Sequence, residues 1–357
     1  MGSCNFISET NQFFSFMDQE TKKKGIPLSG TFELTPRCNF NCKMCYVHLL
    51  KDKIPQFGRE LSKEEWIHLG EQARNAGMLQ LCITGGEPLL HPDFIPIYKA
   101  LSQMGFYITL QTNGYFISEA VMDVLKEFPP YLIKITLYGS NDAVYKDVCE
   151  IENGFSCVHE NLMKLKEAKI PIFLVTTVIQ QNMNDLMNIL HYVQTYKFPW
   201  TYTSSIHPSV RGAETNLEQV MIDETMVTDF HQDIRNLIEH PAMTDEKKPC
   251  EYCKGYRNSF WITWNGKMRF CSFMNEPNIS VLYQSFDSAW QELLQYEEAL
   301  MWPIECQMCE IKDVCYRCVG SLASRSGSVH RVDPVFCEKM KRYIREEKEK
   351  MESEHEI

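Results

Sequence analysis

The chain has 357 residues, a formal net charge of -11 at pH 7 and 15 cysteines. Nucleic acid is a poor match for this composition, because contacts with phosphates need a basic face. The sequence contains no apolar run of about 18 residues and no basic start followed by an apolar stretch, so neither a membrane helix nor a signal peptide is predicted. We expect a cytoplasmic protein whose cysteines serve metal or redox chemistry rather than disulfides.

Short apolar strands alternate with amphipathic helices in the first part of the chain. We predict strands over 31–35, 79–84, 106–112, 132–138, 170–179 and 200–205, and helices over 61–77, 93–105, 118–128, 155–168 and 184–196. Strands that are apolar on both faces and alternate with helices indicate a parallel sheet covered by helices. About six such units are compatible with part of a TIM-like barrel or with a doubly wound open sheet, and the pattern does not separate the two.

The cysteines divide the chain into regions. We predict an N-terminal segment over 1–30, the α/β region over 31–206, an acidic and mostly helical connector over 207–249, a cysteine-rich domain over 250–340 and a charged tail over 341–357. The tail reads as a solvated, fraying helix, because most of its residues are charged.

Unusual residues follow the strands at the end where parallel α/β folds place their chemistry. A loop with three cysteines comes after the first strand, and the sequence Thr84-Gly-Gly-Glu-Pro88 comes after the second. Thr112, Asn113 and Gly114 follow the third strand, and Thr136 lies near the end of the fourth. We therefore expect these segments to meet on one rim.

The loop after the first strand carries Cys38, Cys42 and Cys45. Three thiolates in one short loop suit a [4Fe–4S] cluster in which the fourth iron stays open to an exogenous ligand. The alternative is a zinc site that borrows a fourth ligand from elsewhere, such as His48.

The spacing Cys-x3-Cys-x2-Cys, followed by Tyr46 and by Gly85-Gly86-Glu87-Pro88 after strand two, resembles the radical S-adenosylmethionine (SAM) superfamily. The resemblance implies a partial (β/α)6 barrel in which the three cysteines hold a [4Fe–4S] cluster. It implies that SAM chelates the open iron and is cleaved to a 5′-deoxyadenosyl radical, with a flavodoxin- or ferredoxin-like protein as electron donor. An enzyme of this kind is oxygen-sensitive.

The resemblance also assigns contacts to SAM. Tyr46 would pack near the adenine, and Thr112 or Asn113 would reach the ribose. In the motif that begins at Gly85, Gly86 would let the backbone approach the ligand and Glu87 would accept from the SAM ammonium group. The positions implied to bind SAM are Tyr46, Gly85, Gly86, Glu87, Pro88, Thr112, Asn113, Thr136 and Arg211. Arg211 belongs to an Arg-Gly-Ala element after strand six, and a surface salt bridge is the alternative for it.

Eight further cysteines lie between 250 and 337, enough for two sites with four thiolates each. Their spacing is compatible with two [4Fe–4S] clusters or two structural zinc sites. Beside the first motif, the pattern resembles the SPASM extension of radical SAM enzymes, which carries two auxiliary clusters. The resemblance assigns Cys306, Cys309, Cys315 and Cys337 to an outer cluster and Cys250, Cys253, Cys271 and Cys318 to an inner one. The spacing between Cys315 and Cys318 is one residue shorter than is common in relatives.

The family resemblance implies oxidative modification of a ribosomally made peptide by a crosslink, a thioether or another C–H functionalisation. A dehydrogenase or epimerase that acts on a small molecule or a peptide side chain is the alternative, and a non-catalytic iron–sulfur or zinc protein is the alternative of another class. The sulfatase-maturing branch carries an Asp after the cysteine matched by Cys271, and this chain has Ser272 there. About 30 residues precede strand one, too few for a leader-binding domain. Delivery by a separate leader-binding protein, binding of a leader to the acidic body, or a small substrate would each be compatible.

An epimerase needs a hydrogen-atom donor, and Cys149 is the candidate because it follows strand four on the active rim. A buried structural thiol is the alternative for Cys149, and equally for Cys82 and Cys157.

Overall fold

The computed structural model describes residues 3–222, 235–236, 238–239, 247–315 and 317–355, with the backbone alone over 3–12 and at 355. Within them, one mixed sheet forms the centre of the fold. Its strands are β1 Ser29–Glu33, β2 Gln80–Thr84, β3 Tyr107–Thr112, β4 Leu132–Thr136, β5 Ile172–Thr177, β6 Trp200–Thr203, β7 Ser259–Ile262, β8 Lys267–Arg269 and β9 Ile279–Ser280. The six strands predicted from the sequence are confirmed: β1 lies two residues earlier than expected, and the other five are shorter than expected.

The described helices flank these strands. They are α1 Ser3–Lys24, α2 Lys63–Asn75, α3 Phe94–Gln103, α4 Glu119–Glu127, α5 Asp142–Cys149, α6 Gly154–Glu167, α7 Leu186–Thr195, α8 Phe286–Ala299, α9 Ile304–Gln307, α10 Val319–Ser326 and α11 Pro334–His355. The five helices predicted between strands are confirmed as α2, α3, α4, α6 and α7. Helix α5 was not predicted, because it spans only two turns; Asn141 caps it by accepting a hydrogen bond from the Val144 amide.

The strand order answers the question left open by the sequence. The sheet runs β6-β5-β4-β3-β2-β1-β7-β8-β9, and every pair from β6 to β7 is parallel. Strands that follow one another in a single direction, with right-handed crossovers, place all their helices on one face. That is a barrel progression, whereas a doubly wound sheet reverses direction. Because β1 pairs with β7 and not with β6, the barrel stays open.

The two faces of the sheet differ. Ile83, Leu110 and Ile135 are fully buried on the face covered by helices. Their neighbours Thr109 and Lys134 point to the other face and are only half-buried. The expectation that the strands are apolar on both faces is therefore wrong: the inner face of this open barrel is largely polar, because it lines a cleft instead of a core.

The cysteine-rich region continues the sheet. Strand β7 lies within the predicted separate domain over 250–340, yet it pairs with β1 along four residues. Phe260 of β7 packs edge-on against Phe286 of α8 at 5.1 Å between ring centroids. Beyond α8 the apolar contacts become local, with one small core around Ile344 and another around Trp302. The C-terminal region is thus anchored at one end by the main sheet and held at the other by small clusters.

Two predicted segments differ in part from expectation. Over 207–222 the connector contains one short 3-10 turn, Leu217–Gln219, and no α-helix, whereas its described residues 235–236 and 238–239 are helical; most of the remaining connector lies outside the described residues. The tail belongs to α11, and its Glu347 is buried and pairs with Arg235 at 2.6 Å. The tail helix is therefore packed as far as Glu347 and is not simply solvated. None of the described helices combines the length and the apolar character needed to span a bilayer.

Candidate active site

The cysteine loop after β1 is held by the loop after β2. The Gly86 amide donates to Thr35 O at 2.8 Å, and the Glu87 amide donates to Arg37 O at 2.7 Å. A Cβ atom on Gly86 would lie 2.5 Å from Arg37 O, and one on Gly85 would lie 2.7 Å from Thr35 O. Both glycines are required because two backbones touch. Close approach to the cysteine loop is sufficient to require glycine at position 86, and its expected approach to a ligand stays a prediction.

The opposite side of the cysteine loop rests on the end of α5. The Asn41 amide donates to Cys149 O and the Lys43 amide donates to Val148 O, each at 3.0 Å. Lys43 also pairs with Asp147 at 2.5 Å. The loop is therefore fixed from two directions by backbone hydrogen bonds before any metal is considered.

The three thiols of this loop lie near one another. Burial raises the pKa of the Cys45 thiol to about 11 and that of the Cys38 thiol further, and the charge of Cys42 raises both. A hydrogen bond with Cys149 lowers the pKa of Cys42. A metal would therefore have to displace protons from at least two of these thiols.

The surroundings of the sulfur atoms fit an iron–sulfur cluster. The Phe40 amide donates to the Cys38 sulfur at 3.4 Å, and the Val47 and His48 amides donate to the Cys45 sulfur. In the part of the chain that is described, no three His, Cys, Asp or Glu side chains are grouped closely enough to hold a single metal ion. Thiolates that bind different irons of a cluster stand further apart than ligands of one zinc ion. The described contact of His48 with this site is the hydrogen bond from its amide to the Cys45 sulfur.

Glu87 joins the ends of β2 and β3 below the loop. It accepts from Thr112 Oγ1 at 2.8 Å, from the Asn113 amide at 2.7 Å and from the Leu89 amide at 3.1 Å. Its side chain has no exposed area, and burial raises its pKa to about 7. Asn113 Nδ2 then donates to Asn39 Oδ1 at 2.8 Å inside the cysteine loop. Glu87 and Thr112 are therefore hydrogen-bonded to each other, and their expected contacts with SAM stay predictions.

Pro88 and Thr136 complete the expected positions on this rim. Pro88 is buried and begins a short 3-10 turn, Pro88–Leu90, directly after Glu87. Thr136 is half-buried at the last position of β4, on the same inner face as Lys134. A hydroxyl at this position lies at the carboxyl end of the strand, where a bound ligand is expected in such folds.

Arg211 forms a buried ion pair. Its Nη1 donates to Glu33 Oε2 at 2.7 Å, and the side chains are 12% and 5% exposed. Trp261 Nε1 of β7 donates to the same Glu33 oxygen at 2.9 Å. The salt bridge expected as the alternative role is therefore present, but it is buried and does not lie at the surface. It connects the segment after β6 to β1 and β7. The Val210 amide also donates to Tyr46 O at 2.9 Å.

The eight C-terminal cysteines lie in two groups of four. Cys250 is fully buried, and its pKa is raised by burial and by the neighbouring charges of Glu297, Cys253, Cys271 and Cys318. This inner quartet is the set that the resemblance assigned to the inner cluster, and it includes Cys318 despite the shorter spacing.

The outer quartet consists of Cys306, Cys309, Cys315 and Cys337. Burial raises the pKa of Cys306 to about 11 and that of Cys315 to about 12, and the other thiols of the quartet raise both. Arg317 lowers the pKa of Cys306 and lies over the Trp302 ring at 4.7 Å. A nearby guanidinium of this kind would also stabilise the negative charge of a thiolate-bound cluster.

Tyr46 connects the first cysteine loop to the inner quartet. Its ring lies 4.9 Å from the Phe273 ring, and its hydroxyl bonds to the side chain of Ser272, next to Cys271. Burial raises the pKa of Tyr46 to about 12, so its hydroxyl stays protonated. The expected position near adenine is compatible with this place between the two cysteine sites.

His207 lies in this region and was not predicted from the sequence. The His207 ring stacks on Phe273 at 3.8 Å between centroids, and its Nδ1 is buried with no hydrogen bond within the described residues. Burial, assisted by Arg325, lowers the pKa of His207 to about 4, so the imidazole is neutral near pH 7. His207 follows β6 by a few residues. Its position after a strand was the one feature of the sequence that could have identified it as a site residue.

Comparisons with known proteins agree with this geometry. Residues 32–193 match the Radical SAM superfamily. The chain is 26% identical to the PqqA peptide cyclase of Rhizobium meliloti (strain 1021) over 333 residues, covering 87% of this chain and 86% of that protein. It is 20% identical to the AdoMet-dependent heme synthase of Methanosarcina barkeri (strain Fusaro / DSM 804) over 335 residues, 86% of this chain and 95% of that protein.

Solved structures show the same fold. SuiB of Streptococcus suis bound to S-adenosylmethionine superposes with a TM-score of 0.66 at 14% identity, covering 86% of this chain and 76% of that chain. The enzyme anSMEcpe with bound AdoMet gives 0.65 at 15% identity, covering 90% and 97%. The α/β partial barrel and the cysteine-rich C-terminal region both lie within these matches. The chain is therefore an enzyme with a radical SAM domain over residues 32–193, related over most of its length to the PqqA peptide cyclase.

Proposed function

We propose that this radical SAM enzyme carries one reactive and two auxiliary [4Fe–4S] clusters and oxidatively modifies a ribosomally made peptide, by a crosslink, a thioether or another C–H functionalisation. The observation that carries the proposal is the arrangement of the thiols. Three lie in one fixed loop at the carboxyl end of the barrel strands, and eight lie in two quartets beyond it.

The reactive cluster would be held by Cys38, Cys42 and Cys45, which leaves one iron for SAM. When bound, SAM and the reduced cluster supply a hydrogen-atom abstractor strong enough for an unactivated C–H bond. The chain's own residues hold the loop that positions this chemistry. Gly86 and Glu87 fix the loop from the β2 side, and Tyr46 closes it toward the inner quartet.

Each quartet supplies four thiolates, which would leave no iron open in the auxiliary clusters. Such closed clusters suit electron transfer, and an electron accepted from a substrate radical makes the net reaction an oxidation. The Tyr46 hydroxyl bonds to the Ser272 side chain, and Ser272 bonds to the thiol of Cys271, its neighbour in the sequence. These contacts connect the first loop to the inner quartet. We infer that the inner quartet would hold a cluster close enough to the first loop to take up an electron from the substrate, and that the outer quartet would hold one suited to passing it outward.

A peptide substrate is supported by the proteins that this chain resembles. One is called a PqqA peptide cyclase. SuiB was solved bound to the precursor peptide SuiA, and anSMEcpe was solved with the Cp18Cys peptide. We propose that a peptide reaches this chain through a separate leader-binding protein, and that a flavodoxin- or ferredoxin-like protein supplies electrons.

A second candidate is oxidation of a small molecule. It is favoured by the match to the AdoMet-dependent heme synthase, which extends over 95% of that relative. The half-buried Lys134 on the inner face of the barrel would suit an acidic substrate as well as a peptide carboxylate.

The first test is formation of 5′-deoxyadenosine from SAM by the anaerobically reconstituted chain with dithionite. We expect product from the native chain and none from Cys42→Ala. Peptides encoded next to the gene of this enzyme are then incubated with it, and their masses are measured by mass spectrometry. Loss of two hydrogen atoms per modification supports the peptide proposal; turnover of a tetrapyrrole with every peptide unchanged contradicts it. A fully iron-loaded chain that forms no 5′-deoxyadenosine contradicts the radical chemistry itself.

A further inference from the structure

The thiol of Cys149 lies against the first cysteine loop, in addition to the three thiols that the loop carries. The Sγ atoms of Cys42 and Cys149 are 3.5 Å apart, within hydrogen-bonding distance for sulfur. Cys149 is the last residue of α5 and has no exposed area. It is not one of the three cysteines of the loop, and its sulfur faces one of them.

The contact between the two sulfurs is fixed by the backbone around it. The amides on either side of Cys42, those of Asn41 and Lys43, donate to the carbonyls of Cys149 and Val148. Asn41 Nδ2 also donates to Glu150 Oε2 at 2.6 Å. Because both neighbours of Cys42 are attached to the end of α5, the Cys149 side chain is held against the Cys42 sulfur.

A second side chain bonds to the same sulfur. The hydroxyl of Tyr138, two residues beyond β4, forms a hydrogen bond with Cys42. The Cys45 sulfur accepts from backbone amides, and the Cys38 sulfur accepts from the Phe40 amide at 3.4 Å and from Asn113 Nδ2 at 3.9 Å. Cys42 differs in that two side chains contact its sulfur, and mutation can change them one at a time.

The direction of these hydrogen bonds follows from the chemistry of a ligand. A thiolate bound to iron carries no proton, so Cys42 can only accept once a cluster is present. Cys149 and Tyr138 each keep a proton and can donate. A donor directed at a cluster sulfur stabilises its negative charge, which favours the reduced state and raises the reduction potential of the cluster.

We propose that Cys149 is a positioning residue for the reactive cluster: its S–H donates to the Cys42 sulfur and, together with the Tyr138 hydroxyl, raises the reduction potential of that cluster. This inference rests on the proposed function in one respect, that Cys42 is a cluster ligand. It also replaces the expectation that Cys149 is a hydrogen-atom donor to the substrate, because the thiol faces Cys42 and has no exposed atom.

The test is a potentiometric titration of the reconstituted enzyme followed by electron paramagnetic resonance. The signal that changes on addition of SAM identifies the reactive cluster. We expect Cys149→Ala and Tyr138→Phe each to shift its midpoint to lower potential, and Cys149→Ser, which keeps a donor, to stay near the native value. Cys157→Ala serves as the control for loss of a thiol elsewhere and leaves the midpoint unchanged.

An unchanged midpoint in Cys149→Ala, with native iron content, overturns the proposal. If Cys149→Ala does not load iron, Tyr138→Phe and Cys149→Ser decide: a native midpoint in the first or a lowered midpoint in the second overturns it. A native chain without a SAM-responsive cluster contradicts the proposed function instead, so the two failures are distinguishable.

A second measurement needs no cluster. The metal-free chain is treated with diamide, which accepts two electrons and two protons as two thiols become a disulfide, and peptides are mapped by mass spectrometry. The 3.5 Å contact predicts a Cys42–Cys149 disulfide as the main product at this loop. Pairing of Cys42 with Cys38 or Cys45 in its place contradicts the geometry on which the proposal depends.

Discussion

The first cysteine loop and the outer quartet are built in opposite ways. The loop is joined by backbone hydrogen bonds to the loop after β2 and to the end of α5, and Phe40 and Met44 within it belong to the main core. The outer quartet lies on segments held by small separate clusters, one around Ile344 and one around Trp302. We infer that the first site is formed before its metal arrives, whereas the outer site depends on its metal for stability.

The largest effect is expected where the metal supports the fold. Cys315→Ala removes a buried thiol of the outer quartet, and we expect loss of about four irons per chain together with exposure of α11. Limited proteolysis measures the second effect, with cleavage inside Pro334–His355 while the sheet remains intact. Cys157→Ala is the control. Protection of α11 in a Cys315→Ala chain that lacks those irons would show that the small clusters suffice without metal.

The buried ion pair at the first site gives the next effect. Glu33→Gln leaves the Arg211 guanidinium buried without an anionic partner, which costs about 4 kcal/mol in the free energy of unfolding. Glu60→Gln is the matched control, because its pair with Arg37 is more exposed and contributes about 1 kcal/mol or less. Urea unfolding of the metal-free chains measures both. Equal losses in the two variants would contradict a special role for the buried pair.

The contact between the cysteine loop and the loop after β2 can be broken by adding one carbon atom. Gly86→Ala places a Cβ atom 2.5 Å from Arg37 O, and the displaced backbone costs about 3 kcal/mol and reduces iron loading of the first site. Gly105→Ala is the control: its Cβ meets nothing within 4 Å, and only its positive φ opposes the substitution, so it costs about 1 kcal/mol and keeps full iron. Normal iron content in Gly86→Ala would show that the loop does not need this contact.

The carboxyl group of Glu297 lies beside the inner quartet and predicts that stability depends on pH. Burial raises the pKa of Glu297 to about 8, above the value near 4.5 of an exposed glutamate. The native state therefore holds a proton that the unfolded state releases, and stability falls as pH rises from about 5 to about 8. Glu297→Gln lacks this titration, so the stability of the native chain relative to this variant declines over the same range.

Denaturant unfolding at several pH values measures this difference in the metal-free chain. Glu292→Gln on the same helix is exposed and leaves the pH dependence of the native chain unchanged. A stability difference between native and Glu297→Gln chains that is flat from pH 5 to pH 8 would mean that Glu297 is already ionised in the fold.

The sequence was most informative where structure is local or where spacing carries chemistry. The apolar runs predicted six strands, and cysteine spacing together with the family resemblance separated the two quartets. The pairing of β7 with β1 was not predictable, because a four-residue strand carries no information about a partner more than 200 positions away. Arg211 and Glu33 are similarly 178 positions apart, so their ion pair appears only once β1 and the segment after β6 have met.

The role of Gly86 illustrates a different limit. Its motif was recognised, yet the reason for the glycine lies in contact with another loop of the same chain, which no property of the motif reveals. Helix α5 was missed for a related reason: its short sequence is stabilised by the cysteine loop that it supports, through hydrogen bonds that involve Asn41 and Lys43.

The most direct test of the central claim is the content of iron, sulfide and zinc per chain after anaerobic reconstitution. Three [4Fe–4S] clusters predict about twelve irons and about twelve sulfides, with about eight of each in the variant that combines Cys38→Ala, Cys42→Ala and Cys45→Ala. About four irons and about two zincs per native chain would contradict the two auxiliary clusters and leave the quartets as structural zinc sites.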